Sequence, residues 1–283
     1  MPAKNEARSK VAMRGSVAQQ RLQARHRDAP RVLAIIPAMN EAENLASLLA
    51  ELSRVHPLGN TLVVDDGSSD ATGDIAKDHG CLVVRHPFNL GYGAALLTGY
   101  HYALRHGYPH IVQLDADGQH PPELLPTLLE PVLAGTADVV VGSRYLDNGR
   151  SGSTTLRRLG ARPLAWLATL WTGQRITDPT SGFQALSPAA VATLCSDGFP
   201  EDYPDVDVLI TLHRAGLTLV ELPVKMRDRV AGTSMHGGMR AFYYFYRLLV
   251  TLLLLPWRRS SPWRGERVST KSHAASDKRE DDA

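Results

Sequence analysis

Cysteine is scarce in this chain: Cys81 and Cys195 are the two present among 283 residues. They lie far apart and without metal-ligand spacing, so neither a disulfide framework nor a thiolate metal cage is built here, and a reducing compartment is expected. The N-terminus lacks the apolar core of a secretory signal. No stretch approaches the roughly 20 consecutive apolar residues of a membrane-spanning helix. Charge of one sign is not in excess, since the formal net charge is +2. Its distribution is uneven. Residues 1–31 hold eight Lys/Arg and two acids, or +6; residues 257–283 hold seven and five, or +2; the middle therefore carries −6. A chain with an acidic middle lacks the basic face of a nucleic-acid binder. The same charge suits carboxylates gathered around a cation. There is no internal repeat and no linker between domains.

What remains is an alternating pattern between two polar ends. Residues 1–30 read as a basic, disordered or loosely helical tail, and residues 259–283 as a disordered polar tail. Between them, apolar runs predict strands at VLAIIP (32–37), TLVVDD (61–66), CLVVRH (81–86), HIVQLD (110–115) and DVVVGS (138–143). Helical spacing is read at 40–55, 70–79, 91–107 and 121–133. Leu45, Leu48, Leu49 and Leu52 form the inner face of the first helix, and Asn40 is placed to cap it. Strands alternating with helices predict an α/β fold, a largely parallel sheet with helices on both faces. In such sheets ligands bind at the carboxyl ends of the strands. Those ends carry Pro37 and Glu41, Asp65 and Asp66, Arg85 and His86, Asp115 and Asp117, and Ser143 and Arg144.

QLDADGQHPPEL (113–124) places two acids one residue apart where a buried strand ends. Both carboxylates can turn toward one hard cation, Mg²⁺ or Mn²⁺, which completes its shell with water and phosphate oxygens. Gln119 can add a carbonyl oxygen and His120 a nitrogen. For a lone pair of acids, capping of a turn ahead of a proline-started helix would be the better account. Here the strand-end context and the second pair, Asp65 and Asp66, favour a metal and diphosphate site. In DDGSSDAT (65–72), turn chemistry explains Gly67, Ser69 and Asp70, and Asp66 can accept hydrogen bonds from a base or ribose. NLGYGAALLTGY (89–100) lacks both the GxxxxGK[ST] phosphate loop and the third glycine of GxGxxG. Gly91 and Gly93 instead let a helix start close to a ligand.

IIPAMNEAENL, LVVDDGSSDAT, NLGYGAALLTGY, QLDADGQHPPEL, VGSRY, DPTSGFQALS and ELPVKMRDRVAGTS occur in that order. Over residues 31–236 the chain resembles the family 2 glycosyltransferases of GT-A fold, a Rossmann-like architecture, and most of all the branch containing dolichol-phosphate mannosyltransferase. The resemblance implies a nucleotide-diphosphate sugar as donor, with Pro37, Glu41, Val64 and Asp66 at base and ribose. Asp115, Ala116, Asp117 and Gln119 would hold metal and diphosphate. It implies inversion by single displacement, with Asp117, Arg144 and Arg229 in the catalytic set. Arg144 matches the arginine facing the acceptor phosphate, Arg157 or Arg158 falls near a second, and Asp178 joins the acceptor side. A polyprenyl phosphate acceptor is already anionic and needs no general base; a sugar hydroxyl would need one, with Asp205 and Asp207 as candidates. DRVAGTSMHGG (228–238) is similar to the closing loop over the donor, with Arg229 reaching the diphosphate. The family's Ser-Lys is here Ser234-Met235, and His236 is the replacement on the donor side. Gln184 stands where an arginine is frequent.

MRAFYYFYRLLVTLLLLPW (239–257) reads as an amphipathic helix. Arg240, Tyr244, Arg247 and Thr251 form a narrow polar stripe on it. Tyr243, Tyr246 and Trp257 suit a headgroup boundary, and Arg258 and Arg259 suit anionic lipid. The expected placement is at a membrane interface or docked onto a small membrane protein; the alternative is packing on the catalytic domain or in a homodimer. The expected organisation is a basic tail (1–30), a GT-A domain (31–238), a membrane-interface helix (239–258) and a polar tail (259–283), on the cytoplasmic face of a membrane. The expected activity is metal-dependent transfer of a hexose to a polyprenyl phosphate. The alternatives are transfer to a glycan or glycolipid hydroxyl, and a non-catalytic sugar-nucleotide-binding subunit.

Overall fold

The computed structural model describes residues 31–146, 155–196 and 206–227, with side chains from residue 162 onward in the middle segment. Arg157 and Arg158 are therefore described by backbone alone. Asp205, Arg229, His236, both tails and the 239–258 segment lie outside the described residues. No helix among the described residues is long and apolar enough to cross a membrane.

The apolar runs pair into one sheet. Its strands are β1 (Val32–Ala38), β2 (Thr61–Asp65), β3 (Leu82–Arg85), β4 (His110–Gln113), β5 (Val139–Ser143), β6 (Gln184–Leu186) and β7 (Leu219–Pro223). Their order is β3-β2-β1-β4-β6-β5-β7. Every pairing is parallel except those of β6, which runs antiparallel to β4 and β5. The helices are α1 (Ala42–Leu52), α2 (Thr72–Asp78), α3 (Tyr92–Arg105), α4 (Leu125–Leu133), α5 (Thr155–Thr172), α6 (Pro188–Leu194) and α7 (Val206–Arg214). They cover both faces. Leu33 and Ile35 of β1 pack with Leu96 and Tyr100 of α3. Val32, Ala34 and Ile36 pack with Leu45, Leu49 and Leu52 of α1. A strand buried on both sides has no polar position to spare, which is why it reads as a continuous apolar run.

Several expectations need correction. β1 continues through Pro37 to Ala38. The β4 ladder ends where Leu114 N–H donates to Ile35 O, so the N–H that Pro37 lacks falls just beyond the last rung. Asn40 does not cap α1. It adopts φ +54, and its side-chain oxygen accepts from Ser69 N–H at 2.8 Å. The start of α1 is held instead by the β2 loop: Ala42 N–H donates to Asp70 Oδ2, and Glu41 N–H to Thr72 Oγ1. β6, β7, α5 and α6 were not among the expected elements.

The reversal of β6 positions the site. Gln184 at its start pairs with Gln113 at the end of β4. The loop that precedes β6, residues 177–183, therefore lies at the same edge as the carboxyl ends of the parallel strands.

Candidate active site

The acidic motif leaves the sheet at that edge with alternating side-chain directions. Ala116 turns into the core and is 3% exposed, packed in the same cluster as Phe183. Asp115 and Asp117 are half-buried on the other side. Gly118, at φ +75, completes the turn, and Gln119 N–H donates to Asp117 Oδ1 at 3.0 Å. Asp115 is steadied from two directions. Tyr92 Oη at the start of α3 donates to its Oδ1 at 2.9 Å. Its own backbone N–H donates to His120 Nδ1 at 2.9 Å.

That second bond corrects the role given to His120. With Nδ1 accepting an amide hydrogen, the ring proton sits on Nε2, 3.6 Å from Asp115 Oδ2. The ring is buried and stacks on Phe183 with centroids 5.0 Å apart. His120 orients Asp115 and offers no nitrogen to a metal. The backbone of Gln119 is likewise engaged, its carbonyl accepting from Arg227 N–H at 2.9 Å.

The donor set fits a divalent cation of the hard class. It is an oxygen pair at a half-exposed edge, and no group of three or more His, Cys, Asp or Glu among the described residues forms a closed cage. Such a pair suits Mg²⁺ or Mn²⁺, which keep positions for water and phosphate oxygens. Space is kept beside it. A Cβ at Gly182 would lie 2.7 Å from Tyr92 Oη and 3.1 and 3.3 Å from the Asp115 carboxylate oxygens. Only a residue without a side chain leaves that carboxylate room to turn.

The donor-side residues line the neighbouring strand ends. Pro37 and Val64 are paired in register and buried, so they present wall and backbone rather than reaching side chains. Glu41 is half-buried and accepts from Asn44 Nδ2 at 2.6 Å. Asp66 is 4% exposed, and its carboxylate already accepts from Leu90 N–H, Gly91 N–H and His86 Nδ1 at 2.9, 2.9 and 2.7 Å. His86 is fixed in turn by Thr98 Oγ1 at 2.9 Å. A base or ribose contact at Asp66 would add to these bonds. The β2 loop can approach so closely because residue 67 is glycine. At φ +74, a Cβ there would lie 2.6 Å from the Phe88 carbonyl carbon.

Arg144 follows β5 directly. Its Nε and Nη2 donate to Asp178 Oδ2 and Oδ1, both at 2.7 Å, and Nη2 also donates to Thr180 Oγ1 at 3.0 Å. Its backbone N–H adds a further bond to Asp178 Oδ2. Burial works against the guanidinium charge, but the hydrogen bonds and charge of Asp178 outweigh it and raise the pKa. Of the five N–H donors of an arginine, three are thus engaged by neighbours. The two on Nη1 have no hydrogen-bond partner among the described residues. Asp178 is fully buried behind this arginine. The acceptor contact expected of it is corrected on that ground: it is the support of Arg144.

Asp207 sits in the first turn of α7 and is 2% exposed. A carboxylate so covered has no open path to an acceptor hydroxyl in this conformation. Sequence reasoning missed Tyr92, Thr180 and Glu221. Glu221, in the quoted motif ELPVKMRDRVAGTS, receives the backbone of Thr177 and Asp178. Its place inside β7 was the available signal, a charge within an apolar run.

Comparison with known proteins agrees with this geometry. The undecaprenyl-phosphate mannosyltransferase of Micrococcus luteus is 36% identical over 221 residues, 74% of this chain and 89% of that protein. The polyprenol monophosphomannose synthase of Mycolicibacterium smegmatis is 34% identical over 224 residues, 75% of this chain and 83% of that protein. Among solved structures, glucosyl-3-phosphoglycerate synthase from Mycobacterium tuberculosis in complex with Mn²⁺, UDP-glucose and phosphoglyceric acid superposes with a TM-score of 0.59 at 25% identity. That match covers 80% of this chain and 79% of the other. Residues 33–194 match the family profile described as Glycosyl transferase family 2. With its strand-end acids, its mostly parallel sheet and these relatives, the chain belongs to glycosyltransferase family 2.

Proposed function

We propose that the enzyme transfers a hexose from a nucleotide-diphosphate sugar to a polyprenyl phosphate, with inversion at the anomeric carbon. The observation that carries this reading is the pairing of two sites at one sheet edge. Asp115 and Asp117 offer carboxylate oxygens to a cation, and Arg144, held from behind by Asp178, presents two N–H donors that are unengaged among the described residues. A fixed guanidinium edge is suited to a phosphate oxygen pair. The relatives at 34–36% identity carry undecaprenyl-phosphate and polyprenol-phosphate activities in their names, which supports the same acceptor class here.

In this reading Asp115 and Asp117 would hold the divalent metal, whose chemistry when bound is to neutralise charge developing on the diphosphate leaving group. The remaining work belongs to the chain. Tyr92 and His120 keep Asp115 in place. The β2 and β3 loops, joined through Asp66, wall the donor side. Arg144 orients an acceptor phosphate that is already ionised near neutral pH. No proton has to be removed from it, so the burial of Asp207 is no obstacle. Attachment to the cytoplasmic membrane surface through the 239–258 segment, with Arg157, Arg158, Arg229 and His236 completing the anion contacts, belongs to the same proposal.

A hydroxyl acceptor is the second reading. The likeness to a synthase crystallised with UDP-glucose and phosphoglyceric acid favours it. Product chemistry separates the two. With labelled nucleotide sugar and a short-chain polyprenyl phosphate, the leading reading predicts an organic-soluble product that mild acid returns to free sugar. A product stable to mild acid, or one formed only with hydroxyl acceptors, would favour the second.

A further inference from the structure

We infer that Glu221 is a positioning residue that sets Arg144 against the acceptor, acting through Thr177 and Asp178; the acceptor half of this statement rests on the function proposed above. Glu221 stands on β7, next to β5, and its carboxylate faces the loop that leads into β6. It receives the backbone N–H groups of Thr177 and Asp178 and the Thr177 hydroxyl. Thr177 N–H is shared between its two oxygens at 3.0 and 2.8 Å. Thr177 Oγ1 donates to Oε2 at 2.8 Å, and Asp178 N–H to Oε1 at 2.8 Å. Each oxygen therefore takes two contacts.

Residues 177 and 178 belong to no strand or helix. The bonds to Glu221 set the backbone of Asp178, and that backbone sets the carboxylate clamping Nε and Nη2 of Arg144. The clamp decides where the Nη1 edge points. Ser143, the residue before Arg144, closes the circuit through its hydroxyl to Thr177 Oγ1 at 2.6 Å. One carboxylate on an edge strand thus determines the aim of an arginine two strand ends away in the chain's order. Burial, aided by the charge of Asp178, raises the pKa of Glu221 above the usual carboxylate range against these hydrogen bonds.

Glu221→Gln tests the inference because the shape stays and the chemistry changes. An amide nitrogen at either oxygen position meets an N–H head-on. Two readouts apply, both on full-length protein whose circular dichroism matches wild type. The first is the Arg144 Nε–H resonance, identified by its loss in Arg144→Lys; its exchange with water should be about tenfold or more faster in Glu221→Gln. The second is steady-state kinetics: acceptor KM should rise about ten- to a hundredfold, the effect expected from an ångström-scale misplacement, with donor KM within about twofold. Combining Glu221→Gln with Asp178→Asn should add little, since both act in one chain of contacts. If Glu221→Gln does not fold, Glu221→Asp takes its place, with partial loss expected on both readouts. A folded variant with wild-type Nε–H exchange and wild-type acceptor KM overturns the inference. Altered exchange in an enzyme that ignores lipid phosphate would leave the positioning role standing and remove the acceptor assignment.

Discussion

Arg144 and Asp178 form the most tightly coupled pair of the site, and their worth is best read by breaking it. Asp178 is fully buried and the Arg144 side chain 14% exposed. Arg144→Ala would leave a buried carboxylate without its partner, which costs about 3–5 kcal/mol. Urea unfolding should show that loss, and Arg144→Ala combined with Asp178→Ala should recover part of it; an unchanged midpoint for the single variant would mean that the pair is not held as described. Glu221 makes a second residue-level prediction, in pH. Its folded pKa lies above that of an unfolded glutamate, with burial the largest cause. The folded state therefore binds this proton more tightly than the unfolded chain does. Its contribution favours the fold at low pH and is lost as pH rises through the raised pKa. Function runs the other way, because protonated Glu221 cannot accept all four contacts. On acidification below neutrality, acceptor kcat/KM should fall before the thermal midpoint does. Glu221→Gln should start low and show a flatter acid limb. Identical limbs in the two proteins would count against this account.

At the scale of elements, loops at one sheet edge carry the candidate site while helices and strands set their spacing. The loop before β6 shows this through Gly182. Gly182→Ala introduces a Cβ at 3.1 Å from Asp115 Oδ1 and 2.7 Å from Tyr92 Oη. The Asp115 carboxylate must then move; if it holds the metal as proposed, the Mn²⁺ concentration for half-maximal activity should rise about tenfold or more, with secondary structure retained. A metal titration of wild type and variant that overlays would refute the crowding. The same loop shows why some of this was legible in the sequence and some was not. β1 to β5 are apolar runs of four to seven residues ending in polar clusters, and the leucine spacing of α1 is explicit, so both were readable. β6 is three residues, too short for a period, and its direction depends on pairing with β4 and β5. Asp115, Asp117 and Arg144 stand out as charges at strand ends. The partners that tune them do not. Tyr92 meets Asp115 across 23 positions, and Glu221 meets Thr177 across 44. His120 and Asn40 looked like a ligand and a cap by residue type. Their actual bonds depend on loop geometry that spacing alone does not contain.

At the scale of the whole molecule, the proposed cation site at Asp115 and Asp117 and the proposed anion site at Arg144 lie at one edge of one sheet, with two apolar cores fixing the distance between them. That arrangement matches a reaction between two phosphorylated substrates, one a leaving diphosphate and the other an entering phosphate. Chelation should abolish turnover and added Mn²⁺ restore it without any change in secondary structure, because no cluster of metal ligands among the described residues holds the fold together. Loss of secondary structure on chelation would instead assign the metal a structural role. The most direct test of the central claim is release of nucleoside diphosphate with Mn²⁺ across a panel of nucleotide sugars, with and without short-chain polyprenyl phosphate, for wild type and Asp117→Ala. The account predicts release that needs both lipid phosphate and metal and is lost in the variant. Release that is equal with and without lipid phosphate, or binding of the donor with no release under either condition, would contradict it.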